Sequence, residues 1–467
     1  MVQRIRDPLH DIVEFSTSEL ERILWKAMQT RPFQRLRRVK QLGFSDLVYP
    51  GASHSRFAHS VGVFHTARQL MEIIRLQLDE RQSSKETTSL AAALVHDLGH
   101  GPFSHAFEEV GKRLKLKLAN HEDMSDILIR DSEVTGVLNE LGSGTASDTA
   151  DIILKGGVKT VHHAVVSSQF DADRLDYMRR DRLMTGTQHS AIDFPWLMAN
   201  LEIGSVPIGV DDVETGKIDT LVLGPKSVYA AEAFVLGLFQ LYPTVYFHKT
   251  TRGAEKLFSE LLVRAVELAR MKNIKSTGLP KNHPLIKFAL NPEDVDIALS
   301  LDDTVIWGAL SLMCEGSDPL ISEYACRLRD RKLFKCVDIR NIVSGKINPK
   351  SSNDLGIKYQ VDVCCKAIDE KIDEWKAANE GAGPRVLKDE ATRSPYKSIE
   401  ISKGPLDRIN IRTSEGLIDL KERSAVVAAL QDFKLFRAYI SFEDSLAKDA
   451  ITKIVEGEIE TCLKQKH

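Results

Sequence analysis

Cysteine is scarce and one-sided in this 467-residue chain. All six, Cys314, Cys326, Cys336, Cys364, Cys365 and Cys462, fall in the second half, and none is spaced as CxxC. That pattern excludes a zinc ribbon and a disulfide framework, so reduced core thiols in a cytoplasmic protein are expected. Net charge is nearly absent too: 63 Lys and Arg against 66 Asp and Glu leave −3. No global field draws the chain to nucleic acid or membrane, and any phosphate-binding surface must be local. Long apolar runs are missing. Met1–Phe15 has no signal-peptide core. The longest apolar stretch, Ala233–Tyr242, contains Gly237 and Gln240 and is too short to cross a bilayer, so no membrane contact is expected. There is no internal repeat and no low-complexity tract beyond a few polar loops.

What the chain does have is histidine, concentrated early. Ten of its fourteen precede residue 164: His10, His54, His59, His65, His96, His100, His105, His121, His162 and His163. The densest stretch runs from His96-Asp97 through His100, Gly101-Pro102 and His105 to Glu108. His96-Asp97 closes the apolar run Ser89–Val95, which should bury and carry both polar heads into a desolvated pocket. Ionisable groups buried there need partners, and a metal ion satisfies several at once. Gly99 and Gly101-Pro102 break the helix, letting His100 and His105 fold back over the same site.

Read in order, residues 1–17 are extended around Asp7-Pro8, and Ser18 caps a helix to Met28. Pro32–Val39 is short, helical and basic (Arg31, Arg35, Arg37, Arg38, Lys40), a solvated face or a phosphate surface. Ser55 caps a long helix from Arg56 to about Leu78, and Asp79–Thr88 reads as a polar loop. Helical patterns follow at 89–98, 105–117, 121–131, 148–155, 159–168 and 173–184. Two β-prone runs, 201–210 and 217–223, predict an inserted hairpin. Helices resume at 226–241 and 252–271 and continue to about 335. A Ser/Gly/Asn-rich junction at 344–356 precedes strand-like pieces at 358–364, 397–402, 408–413 and 434–442. A charged loop lies at 377–396 and a last helix at 443–464. The expectation is a mainly α protein: a helical domain over 1–343 with its core at about 50–185, and a small α+β lobe over 344–467 serving assembly.

Hydrolysis with a divalent metal needs a few protein ligands and open positions. His59, His96, Asp97 and Asp173 can supply two imidazoles and two carboxylates from three helices. Spacing alone leaves a metal site and a buried polar network equally open. Asp173, Tyr177 and Asp181 stand at i, i+4 and i+8 and share one helix face, with Arg174 placed to reach phosphate; the alternative is a salt-bridged surface helix. His121 starts a helix and can serve as a general acid poised by a carboxylate such as Glu108, or be structural.

Taken in order, Arg56–Ser60, His96-Asp97-Leu98-Gly99-His100-Gly101-Pro102-Phe103-Ser104-His105, His121-Glu122 and Asp171–Tyr177 resemble the HD-domain phosphohydrolases. Within them the chain is most similar to the deoxynucleoside triphosphate triphosphohydrolases of the SAM-and-HD-domain type. Gln41-Leu42-Gly43, Tyr49–His54, Tyr246–Lys249 and Arg331–Lys335 extend the match over roughly the first seven-tenths of the chain. The resemblance implies a helical HD core and a divalent metal (Mn, Fe, Ni, Co, Zn or Mg) held by His59, His96, Asp97 and Asp173. It implies His100, His105 and His121 around the scissile α-phosphate, with His121, supported by Glu108, protonating the departing 5′-oxygen. Arg56 and Arg174 would hold phosphates. Gln41, Leu42, Tyr177 and Asp181 would frame the sugar, and Tyr246 would exclude a 2′-hydroxyl. A homo-oligomer, tetramer or dimer, and a nucleotide activator are further implications.

There are three departures. Glu108 stands where relatives often have aspartate. The region before Tyr246 reads Leu236-Gly237-Leu238-Phe239-Gln240-Leu241, without the arginine that relatives direct at the outer phosphates. After the hairpin only Lys226 remains of the basic residues that relatives place around an activator. Three readings follow: hydrolysis of dNTPs to deoxynucleoside and triphosphate; an HD-type phosphatase or phosphodiesterase acting on another nucleotide or nucleic acid; and a non-catalytic nucleotide-sensing or nucleic-acid-binding scaffold using Arg31–Lys40.

Overall fold

A computed structural model describes residues 1–78, 83–155, 160–210, 213–350, 354–379, 381, 383–396 and 408–464. The chain is mainly α with small sheets. It opens with the hairpin β1 (Gln3–Asp7) and β2 (Asp11–Phe15), followed by α1 (Glu19–Gln29) and α2 (Arg31–Arg35). Then come α3 (Arg56–Leu78), α4 (Ser84–Val95), α5 (His105–Leu114), α6 (His121–Arg130), α7 (Glu133–Leu138), α8 (Thr145–Lys155) and α9 (Val161–Ala164). Next are α10 (Ala172–Thr185), α11 (Phe194–Ala199), the hairpin β3 (Leu201–Val210) and β4 (Val213–Leu223), and α12 (Val228–Leu241). After these lie α13 (Lys249–Arg270), α14 (Pro284–Leu290), α15 (Val295–Ala298), α16 (Asp303–Cys314), α17 (Pro319–Arg329), β5 (Lys335–Asp338), α18 (Ile339–Ile347) and α19 (Leu355–Asn379). The chain closes with β6 (Val386–Arg393), β7 (Asn410–Thr413), β8 (Gly416–Asp419), α20 (Leu420–Arg423), α21 (Ala425–Ala429), β9 (Phe433–Ile440) and α22 (Ser445–Lys464).

Two compact units are interleaved along the chain. The first comprises 1–246, 291–306 and 394–431; the second comprises 247–290, 307–393 and 432–467. This differs from the single boundary expected at 343/344, and strand pairing explains the difference. In the first unit β7 and β8 return to pair with the hairpin, in the order β3-β4-β7-β8. In the second, β9 sits between β5 and β6, antiparallel to both. The predicted hairpin is therefore half of a larger sheet, and its Val206 and Ile218 pack on Ala164.

Local chemistry explains most boundaries. Ser18 Oγ accepts the Glu21 amide at 3.3 Å and starts α1. Ser55 Oγ accepts the Ala58 amide at 3.4 Å at the head of α3. Ser83 caps α4, so that helix begins five residues before the expected start at Ser89. The clearest corrections lie late in the chain. Residues 358–364, read as a strand, belong to α19. Val361, Cys364, Cys365, Ile368 and Ile372 all bury on one face at helical spacing, and that burial overrides the β-branched bias. The expected loop at 377–396 holds the end of α19 and strand β6. The expected strand at 397–402 lies outside the described residues. Finally, Ala233–Tyr242 is part of a continuous helical stretch, Pro225–Tyr246, that meets the length and composition of a membrane span. Part of it packs in the first unit, where Ala231, Phe234, Val235 and Leu241 are almost completely buried and Gly237 lies against Met178 and Ser190; Tyr229 is exposed.

Candidate active site

The site lies within the first unit, on α3, the end of α4, the heads of α5 and α6, and α10. These helices approach closely because glycine stands where they touch. A Cβ on Gly62 of α3 would meet Asp176 Oδ1 of α10 at 2.0 Å and Arg180 Nη2 at 2.3 Å. A Cβ on Gly99 would meet the His121 carbonyl at 2.1 Å and the Ser125 amide at 2.5 Å. The glycines read from sequence as helix breakers thus also admit neighbouring elements.

His59, His96, Asp97 and Asp173 converge. His59 Nε2 is 2.9 Å from Asp173 Oδ1 and 3.8 Å from Asp97 Oδ2. His96 Nε2 is 3.4 Å from Asp97 Oδ1 and 3.8 Å from Asp173 Oδ1. His96 Nδ1 donates to the Ala93 carbonyl at 3.0 Å, which leaves Nε2 as a lone-pair donor atom. That Nε2 is buried and has no hydrogen-bond partner. His59 Nδ1 donates to Asp176 Oδ2 at 2.9 Å, so its Nε2 faces the same centre. An acceptor behind each ring that sets which nitrogen points forward is the usual support of a metal-ligating histidine. His59, His96 and Asp97 form a group able to hold a metal ion. Two imidazoles and two carboxylates, one nitrogen buried without a partner, fit a divalent cation, and the mixed N/O set does not choose among Mn, Fe, Ni, Co, Zn and Mg.

The local field agrees. Burial would lower the His59 imidazole, but Asp173 and Asp176 outweigh it and raise it to about 10. Burial would raise Asp97, but Arg56, His96 and His100 hold it well below the usual carboxylate range. The carboxylates that favour the His59 proton would favour a cation in its place, and His59 Nε2 must give up that proton to ligate one.

Beside the cradle stands a second group. His121 Nδ1 donates to Glu108 Oε1, and His105 Nδ1 is 3.3 Å from Glu108 Oε2. His100 stacks on His121, with ring centres 4.1 Å apart and 11° between planes. Burial would raise Glu108, but His105 and His121 hold it below its ordinary range. Burial and the Arg56 charge hold His100 well below the usual imidazole value. Arg56 bridges the groups: Nη1 donates to Asp97 Oδ2 at 2.6 Å, and Nε to Ser104 Oγ at 2.8 Å. Both groups open on one cavity of about 320 Å³. Its walls include Gln41, Arg56, His59, His96, Asp97, His100, His105, His121, Ser167, Asp173 and Tyr177.

Other expected residues stand further off. Leu42, Arg174, Asp181 and Tyr246 are not part of that wall. Arg174 Nη1 donates to Asp171 Oδ2 at 3.0 Å and to the Ser168 carbonyl. Asp181 joins His54 Nε2, at 2.8 Å, to the Tyr246 hydroxyl, which donates to it at 2.9 Å. Tyr246 packs edge-on to Tyr177 at 6.2 Å. Sequence reasoning assigned no role to Asp176, Ser104 or Asp303. Asp176 had a signal, since it lies one turn from Asp173 on the same helix.

The basic run Arg31–Lys40 is mixed: Arg31, Arg37 and Arg38 are exposed, Lys40 is half-buried and Arg35 is buried. Arg31 pairs with Asp296 at 2.8 Å, Arg38 with Asp302 at 2.6 Å and Lys40 with Asp46 at 2.6 Å. Arg35 is buried and donates to the Leu301 and Leu98 carbonyls, and Arg37 lies 3.6 Å over the Phe57 ring.

A helical fold carrying such a cradle next to a histidine–carboxylate pair defines a class, the metal-dependent phosphohydrolases. Residues 56–178 match the HD domain family and 213–280 the HD associated region. The chain belongs to the HD-domain phosphohydrolase family. It is 33% identical over 334 residues to the uncharacterised protein YwfO of Bacillus subtilis, covering 71% of each chain. It spans about half, 50%, of the uncharacterised protein MJ1154 of Methanocaldococcus jannaschii, at 31% identity. It is 25% identical to the deoxynucleoside triphosphate triphosphohydrolase SAMHD1 of Mus musculus, covering 97% of this chain and 70% of that one. Among solved structures, a phosphohydrolase from Bacteroides thetaiotaomicron superposes with a TM-score of 0.69 at 26% identity, over 94% of this chain and all of that one.

Proposed function

We propose that the protein hydrolyses dNTPs at the α-phosphate, giving a deoxynucleoside and inorganic triphosphate. The observation that carries this reading is the sharing of one cavity by the cation cradle and His121, which Glu108 holds through Nδ1. His59, His96, Asp97 and Asp173 would hold the ion; when bound, it polarises a phosphoryl oxygen and lowers the pKa of water. The rest falls to the chain's own side chains. Water attacks phosphorus as the bond to the 5′-oxygen breaks. His121, oriented by Glu108 through Nδ1, gives the Nε2 proton to the departing 5′-oxygen and recovers one from the attacking water. Arg56, fixed by Asp97 and Ser104, offsets charge developing on the phosphoryl oxygens. Tyr177, with Asp181 and Tyr246 behind it, would close the sugar side against a 2′-hydroxyl.

One observation favours a second substrate class. Leu238 is buried, and the Gln240 side chain accepts the Ser190 amide, so this helix offers no cation for outer phosphates. A nucleoside monophosphate, a signalling nucleotide or a nucleic-acid phosphodiester would not need that cation.

The test is to incubate the purified full chain with Mn, Fe, Ni, Co, Zn or Mg, and with each nucleotide and short DNA, resolving products by anion exchange. We expect inorganic triphosphate from a dNTP, abolished in Asp173→Ala. Orthophosphate or shortened oligonucleotide would replace the dNTP assignment with the second class, and full turnover in Asp173→Ala would refute the ligand set.

A further inference from the structure

Phe103 and Ser104, consecutive and directly before His105, both have a φ of +54°. A left-handed backbone is unfavourable for residues with a Cβ and persists only where surroundings impose it. The Phe103 ring supplies part of that constraint by stacking on Phe44, with centres 4.1 Å apart and 5° between planes. Asp303, two hundred residues away in sequence, supplies the rest. The residue is 2% exposed. Oδ1 accepts the Phe103 amide at 2.7 Å and Oδ2 the Lys40 amide at 2.9 Å.

Those two amides belong to the segments that build one side of the cavity. Lys40 precedes Gln41 and pairs with Ser55, the residue before Arg56. The Lys40 carbonyl accepts the Ser104 hydroxyl at 3.3 Å, and the same Ser104 Oγ accepts Arg56 Nε. One carboxylate therefore ties together the backbone beneath Gln41, Arg56 and His105. Burial pushes this carboxyl up to about 7, against the pull of two amides and Lys40.

We propose that Asp303 is a positioning residue for the cavity: by accepting the amides of Lys40 and Phe103 it sets Gln41, Arg56 and His105 toward a phosphate substrate, a role that rests on the phosphohydrolase reading. Its hydrogen bonds go to Lys40 and Phe103 and to none of the four cradle residues, so metal content and substrate handling are read separately. The neighbouring Asp302 is an internal control. It is equally buried, but it binds Arg38, the Thr304 hydroxyl and the Val305 amide and holds no cavity segment.

The experiment compares the wild-type chain with Asp303→Ala, Asp303→Asn and Asp302→Ala by amide hydrogen exchange, metal content and steady-state kinetics. In Asp303→Ala, exchange at Lys40 and Phe103 should rise at least tenfold and kcat/KM fall at least tenfold, with metal per chain unchanged. Asp303→Asn, which keeps one acceptor oxygen and the side-chain shape, should restore protection at one of the two amides; it is also the variant to use if the alanine chain does not fold. Asp302→Ala should leave both amides and kcat/KM as in wild type. Wild-type exchange in Asp303→Ala, or an equal kinetic loss in Asp302→Ala, would overturn the proposal. A wild-type chain inactive on every phosphate ester would defeat the functional reading, while the exchange data would still decide whether Asp303 holds the loop.

Discussion

Asp176 is the residue on which the cradle rests. It accepts His59 Nδ1 through Oδ2 and His10 Nε2 through Oδ1, and Arg180 binds both its oxygens, at 2.8 and 3.0 Å. Arg180 in turn reaches Asp7 at 2.8 Å. Every charge in this fully buried set has a hydrogen-bonded partner, which is the condition for keeping charges out of water. His65, beside it, shows the converse. Burial, then the His10 and Arg68 charges, lowers its imidazole to about 4. The folded protein therefore keeps His65 neutral while the unfolded chain takes up a proton below its ordinary value near 6.5. With the folded pKa depressed, stability is complete above about pH 6.5 and falls as pH drops toward 4, by up to about 3 kcal/mol from this group. We predict that His65→Gln shrinks the difference in urea midpoint between pH 7 and pH 4.5; an unchanged difference would show that His65 is not the titrating group.

At the scale of elements, the α3–α10 crossing decides whether cradle side chains from different helices meet. Gly62 is its tightest point, where added volume strikes a carboxylate and a guanidinium already committed to each other. Gly62→Ala is predicted to cost about 1–3 kcal/mol of stability and to lower metal content per chain, read by denaturant unfolding and elemental analysis. Wild-type metal retention in that variant would mean that α3 and α10 can separate without disturbing His59 and Asp173. The helices themselves were legible in the residues: Ser18 and Ser55 mark the heads of α1 and α3. The strands were less so. β6 carries Asp389 and Glu390 in the run Lys388-Asp389-Glu390 and reads as a loop until β9 pairs with it; Asp389 is then buried and answered by Arg252 at 3.0 Å.

At the scale of the whole molecule, the cradle gathers residues from three stretches, at 59, 96–97 and 173, that only the folded chain brings together. An ion bound there stabilises the native state alone. At a hundredfold excess over its dissociation constant it should add about 2.7 kcal/mol. A thermal melt should therefore move up with Mn or another bound divalent ion, return with chelator, and not move in Asp173→Ala. A shift retained in that variant would place the stabilising ion elsewhere.

The sequence by itself determined the chemistry on offer. The histidine-rich stretch from His96 to Glu108, the Asp171–Tyr177 run and the helix caps are local patterns, and local patterns carry residue type, spacing and backbone bias. Only the tertiary structure decided which atoms meet. It turned His96 Nε2 inward without a partner, drew Arg174 to Asp171, buried Arg35 against two carbonyls, and brought Asp303 under a loop two hundred residues away. Those outcomes depend on burial and on which buried polar group finds a partner, and both are settled by contacts between segments that no sequence window spans.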